Sequence, residues 1–224
     1  MQMQQLAMQG AGMEVVYAFV IIICSLMVYI STRELYRLTS HKGIRYFRMA
    51  FLFFAIAYFV RSIIKFIIIN FNLRAVMDFH IRSIGPITLF FFMYFSSMAI
   101  FYLLYSVKWR DFKDKMIYLF HGISVVIAGV ILLIPSNTVY LIINILLLAI
   151  FAFVILTSRK QEQSRKKKNS LHVVYILLSV FWILNILDIL IPNIVKTYQT
   201  LIYLASLFIF LLILYKVLRK TGAD

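Results

Sequence analysis

Acidic residues are scarce in this chain: 8 Asp and Glu stand against 23 Lys and Arg, for a formal net charge of +15. Cysteine is nearly absent, and the single thiol, Cys24, excludes an intramolecular disulfide and a metal site built on several thiolates. Proline (3 residues) and glycine (7 residues) are few, so long stretches run without a helix breaker. No polar stretch is long enough to make a second, water-soluble domain. Enzyme signatures are missing as well: there is no GxSxG elbow, HExxH, P-loop or glycine-rich dinucleotide turn. The opening MQMQQLAMQGAGME has no cationic region ahead of the first apolar run, so no cleavable signal peptide is expected.

What the chain has in quantity is apolar surface. It is 63% hydrophobic and 17% aromatic, with a mean hydropathy of +0.94. Such a composition belongs to integral membrane proteins. A spanning helix needs about 20 mostly apolar residues, and the sequence predicts seven: Glu14–Thr32, Ile44–Asn70, Ser83–Val107, Lys115–Ile134, Thr138–Ser158, Leu171–Ile191 and Thr197–Leu218. The runs are continuous rather than alternating, which argues for an all-α bundle in one domain (1–224) and against a β-barrel. Pro135 and Pro192 fall at segment ends, and Pro86 reads as a helix start.

Orientation follows from the cations. The first turn and its flanks hold Arg33, Arg37, Lys42, Arg45 and Arg48, and the third holds Lys108, Arg110, Lys113 and Lys115. The fifth, SRKQEQSRKKKNS, holds the densest run, Arg165, Lys166, Lys167 and Lys168, and the C-terminal stretch adds Lys216, Arg219 and Lys220. The other side carries far fewer. The N-terminus is therefore expected outside and the C-terminus in the cytoplasm, with the chain multi-pass in the cell membrane. The RKKK run reads as a lipid- or partner-binding anchor on anionic headgroups, worth about 1 kcal/mol per cation. No base-stacking aromatics interleave it, so nucleic acid is not expected.

Some charges sit where lipid should be. Arg61 and Lys65 lie one turn apart in the second segment, at depths of about 18 and 24 Å from its inner end, and Asp188 in the sixth lies at about 22 Å. A mid-helix charge costs about 2.5–3.5 kcal/mol, so such residues usually face a partner or a water-filled cavity. These three are expected to meet in the outer half of the bundle, joined by Asn185 one turn below Asp188, Asn144 on the fifth segment and Gln199 beside Tyr198 on the seventh. Asp78, His80 and Arg82 lie in the second loop. Arg61, Lys65, Asp188, Asn185, Asn144 and Gln199 are thus the candidate ligand-binding residues. Two cations against one acid favour an anionic or carbonyl-bearing ligand. Two plainer readings stand beside this one: an ion pair that only locks two helices, and a Lys65 side chain that snorkels to the outer surface.

Other features read blandly. His121 and His172, near inner helix ends, lack the neighbours a metal or haem would want, and no cofactor is expected. Gly122, Ser124, Ala128 and Gly129 permit close helix packing. Tyr36, Tyr46 and Trp109 suit the membrane interface. A retinal-type lysine in the middle of the seventh segment is absent, because Lys216 falls at its inner boundary.

The stretch RELYRLTSHKGIRYFRMAFLFFAIAYFVRSI, residues 33–63, resembles the first cytoplasmic turn and second helix of the seven-helix sensor regions that precede some prokaryotic histidine kinases. The shared elements are a short basic turn with Gly43 and an aromatic-rich helix. The resemblance implies a sensor. Because KVLRKTGAD closes the chain with no kinase domain, it also implies a separate output partner, and it carries no ligand residue across. The seven-span plan is also similar to small three-plus-one-plus-three transporters, whose Pro-Gln signature is missing. The expected function is a non-enzymatic receptor, sensor or accessory subunit, with a small transporter or ion channel as the alternative and a purely structural subunit as a third reading. Partners would be the bilayer, anionic lipids, a separate output or complex subunit and further copies of the chain. The isoleucine-, lysine- and phenylalanine-rich composition points to an AT-rich prokaryotic genome.

Overall fold

The structure is a computed structural model that describes the backbone of residues 2–70, 78–165, 170–190 and 196–221, and side chains over 15–63, 85–159, 172–188, 190 and 198–221. The described residues form seven helices: α1 (Gln2–Thr39), α2 (Lys42–Asn70), α3 (Asp78–Lys108), α4 (Met116–Leu133), α5 (Asn137–Arg165), α6 (Ser170–Leu190) and α7 (Lys196–Thr221). No strand occurs among them. Six of these helices, all but α6, are long and apolar enough over their described residues to cross a membrane. The chain is a helical membrane protein. In α6 the apolar stretch His172–Asp188 is shorter.

Several boundaries differ from the sequence reading. α1 begins at Gln2 rather than Glu14, because the Gln-, Met- and Ala-rich opening is made of good helix formers. α3 begins at Asp78 rather than Ser83, so Pro86 lies inside a helix instead of starting one. Two turns into the helix, Pro86 removes one backbone hydrogen bond and its ring crowds the carbonyl four residues back. α5 continues to Arg165, carrying the spanning helix into the polar SRKQEQSR stretch. Pro135 falls at a helix end as expected: α4 ends at Leu133, α5 begins at Asn137, and in the tight turn between them the Ser136 amide bonds the Ile134 carbonyl at 2.7 Å.

Helices α1, α2, α3, α5, α6 and α7 contact one another in that cyclic order, α7 returning to α1. α4 packs on the outside of α3. Its buried residues, Phe120, Ser124, Ala128 and Ile131, recur at three- and four-residue intervals and make one narrow stripe. Tyr118, Val126 and Leu133 on the rest of α4 are exposed, as suits a face against lipid. α2 and α3 are the most enclosed, with Ala50, Phe51, Phe54 and Ala57 on α2 and Met93, Ala99, Ile100 and Leu103 on α3 fully buried.

The α1–α2 and α3–α4 turns meet at one end of the bundle. His41 and Trp109 rings lie 4.8 Å apart, Lys42 Nζ is 3.4 Å from Asp114 Oδ1, and the Tyr105 hydroxyl donates to the same carboxylate oxygen at 3.4 Å. Ser40 turns the chain with a positive φ of 48°. At Gly43 a Cβ would stand 2.8 Å from the Ser106 carbonyl oxygen, so only glycine lets α2 start this close to α3. Two residues expected at the lipid interface go inward here. Tyr46 packs 4.0 Å from the Tyr105 ring and is buried. Arg48, counted among the basic anchors, is also buried: its Nε donates to the Tyr29 carbonyl at 3.1 Å and its guanidinium lies 4.6 Å from the Tyr29 ring centroid. A half-turn of helix rotation, invisible in the order of residues, decides between these fates.

Candidate functional site: a polar cavity opposite the basic turns

α2 and α6 make no close backbone approach among the described residues. Side chains link them across the interior. The Tyr58 hydroxyl donates to Asn185 Oδ1 at 3.0 Å, and one turn further along each helix Arg61 Nη2 lies 3.9 Å from Asp188 Oδ2. The spacing is set by the helix repeat: Tyr58 and Arg61 on α2, and Asn185 and Asp188 on α6, are each three residues apart and climb together. The Arg61 guanidinium also stands 5.3 Å from the Phe92 ring centroid, an arrangement worth about 0.5–2 kcal/mol depending on desolvation. From α7, Gln199 Nε2 donates to Asp188 Oδ1 at 3.4 Å and to the Tyr203 hydroxyl at 2.9 Å.

Arg61, Asn185 and Asp188 border a cavity of about 500 Å³ between α2, α3, α5 and α6, closed on one side by Ile131 of α4 and the Pro135 turn, at the end away from the basic turns. Arg61, Asp188, Asn185 and Asn144 all line it. α5 presents Asn137, Tyr140 and Asn144 to it, a three- and four-residue spacing that defines one helix face. The Asn144 side chain donates back to the Tyr140 carbonyl at 2.8 Å, while the Asn144 carbonyl accepts from Trp182 Nε1 at 3.2 Å. Leu89, Phe92, Ile131 and Trp182 supply an apolar wall.

Beneath the cavity the bundle is closed by rings. Tyr58 lies 5.8 Å from Phe92 and 6.0 Å from Phe181, edge-on or tilted, and Phe181 lies 4.6 Å from Phe210. Tyr17 stacks on Tyr203 at 4.7 Å and meets Tyr58 at 5.9 Å. Such offset and edge contacts add about 0.5–1.5 kcal/mol each beyond burial.

Of the six expected ligand residues, Arg61, Asp188, Asn185 and Asn144 are brought to one cavity, and Gln199 reaches it through Asp188. The Lys65 side chain, and those of Asp78, His80 and Arg82, lie outside the described residues. So does the anchor run, Arg165 apart from its backbone at the end of α5. Tyr58, Tyr140 and Trp182 were missed by the sequence reading. Their signal was present, since each precedes a flagged polar residue by three or four positions. His121 belongs to a different surrounding: its Nδ1 lies 2.8 Å from the Tyr94 hydroxyl, among the rings of Phe53 and Tyr102.

Comparison with models of known protein families finds no match, and comparison with solved structures finds none either. A curated relative does align: an uncharacterized protein of the archaeon Archaeoglobus fulgidus, 32% identical over 217 residues that span 92% of this chain and 92% of its own. An alignment of that identity along nearly the whole of both chains shows shared descent, and this chain belongs to the same family as the Archaeoglobus protein.

Proposed function

We propose that this protein is a seven-span receptor or accessory subunit of the cell membrane, non-enzymatic, which binds a small ligand in the cavity between α2, α3, α5 and α6. The observation that carries the reading is the cavity itself: about 500 Å³ of space with an arginine, an aspartate and three asparagines on its wall. Ligand sites commonly occupy about 300–1,000 Å³ and combine an apolar lining with a few converging polar groups. Charges within membrane-spanning helices mark function by default.

In this reading α6 is the seventh span. Its 21 residues extend about 32 Å at 1.5 Å per residue, comparable to a hydrocarbon core of about 30 Å. The basic turns face the cytoplasm, where the Arg165–Lys168 run rests on anionic lipid or a partner, and the cavity faces outward. Single cysteines on the Pro135 hairpin and at Lys113 test this. The natural Cys24 is buried, so a membrane-impermeant thiol reagent applied to intact cells is expected to label the first site and spare the second.

Native mass spectrometry from mild detergent tests binding. The wild type is expected to carry a small-molecule adduct that Leu89→Trp, which fills the apolar side of the cavity, removes. Equal adducts on both proteins would overturn the reading. The alternative is a small transporter or channel using the same residues, favoured by the row of Asn137, Tyr140 and Asn144 along one face of α5. Flux in proteoliposomes that Asp188→Asn abolishes would establish it, and absence of flux in the wild type would leave the receptor.

A further inference from the structure

We infer that the ligand of this cavity is a zwitterion built like an α-amino acid with an apolar side chain, a proposal that rests on the binding reading above. The argument starts from charge. The charged groups described on the cavity wall are Arg61 and Asp188, one of each sign, with Nη2 and Oδ2 3.9 Å apart and both side chains largely buried. A ligand that brought a lone negative or lone positive charge would unbalance this pair in a poorly solvated place, which is costly. A ligand with both charges leaves the balance of the two unchanged.

Geometry narrows the class. An α-amino acid holds its amine nitrogen about 2.5 Å from its carboxyl carbon, from standard bond lengths and angles. That dipole can lie antiparallel beside the Arg61–Asp188 pair, with carboxylate against guanidinium and ammonium against carboxylate, without separating the pair. Arginine has five N–H donors in a planar fork, so it can serve Asp188 and a ligand carboxylate together. Each new contact is then a charge-assisted hydrogen bond. The amides of Asn185 and Asn144 lie on the same wall. The apolar surface of Leu89, Phe92, Ile131 and Trp182 gives the side chain its place, and a cavity of about 500 Å³ accepts residues up to the aromatic ones.

The test uses the full-length protein in nanodiscs and isothermal titration with three kinds of probe: L-leucine and L-phenylalanine; their amine-free analogues 4-methylpentanoate and 3-phenylpropanoate; and their carboxylate-free analogues 3-methylbutylamine and phenethylamine. The wild type is expected to bind a zwitterion about tenfold or more tightly than either single-charge analogue. In Asp188→Asn the amine-free analogue should gain on the zwitterion until the preference is lost, and in Arg61→Gln the carboxylate-free one should. Leu89→Trp should bind none of them. The wild-type ranking needs no variant to fold. A single-charge analogue that binds the wild type as tightly as its parent amino acid overturns the proposal. If no probe binds while native mass spectrometry still shows an adduct that Leu89→Trp removes, the ligand class is wrong and the binding reading stands. If no probe binds and no such adduct exists, both fall.

Discussion

Replacing Arg61 by methionine and Asp188 by asparagine, singly and together, measures how strongly the two helices are coupled through charge. At the observed 3.9 Å, an effective dielectric of about 20 gives an attraction of about 4 kcal/mol, and water gives about 1 kcal/mol. The real figure lies between them, since the two side chains keep 21% and 15% of their surface open. Polar contacts in membranes also measure small, with couplings up to about 1.7 kcal/mol, because the unfolded chain finds other partners in the bilayer. A coupling of about 1–1.7 kcal/mol is therefore expected. Each single variant should lose stability, because each leaves the other charge of the pair without this counter-ion. The double variant should recover part of the loss. The assay is reversible unfolding in mixed detergent micelles, followed by circular dichroism, with the four proteins forming a double-mutant cycle. Strict additivity, with a coupling below about 0.3 kcal/mol, would refute the claim that the pair holds α2 to α6.

Tyr58→Phe keeps the ring contacts and removes the bond to Asn185 Oδ1; a loss of about 1 kcal/mol is expected in the same unfolding assay. Phe181→Ala, which opens the ring cluster under the cavity, should cost about 3–5 kcal/mol, read as a large fall in the melting temperature. Gly43→Ala forces a methyl to 2.8 Å from the Ser106 carbonyl oxygen and should destabilise by about 1–3 kcal/mol. Gly129→Ala meets nothing within 4 Å, so stability in the same assay should stay level or rise by up to about 1 kcal/mol.

Much of the site was legible because depth in a spanning helix is simple arithmetic. Each residue advances the chain by about 1.5 Å, so Arg61 and Asp188 could be placed at similar levels before any fold was known, and the structure sets them in contact. Asn144 and Asn185 followed by the same count. Arg48 and Tyr46 went the other way, since depth alone reads both as interface residues, yet both are buried between helices.

The sequence by itself determined that this is a helical membrane protein, where the apolar core of each helix lies, and at what level Arg61 and Asp188 sit, because apolar length and axial rise are properties of one dimension. Only the tertiary structure decided that α4 stands outside the ring, that α2 and α6 face each other across a gap, and that the gap is a cavity floored by aromatic rings. Lipid tails are as apolar as leucine, so hydrophobic pattern says little about which face of a spanning helix turns inward. Rotation about each axis, and the order of neighbours, come from packing alone.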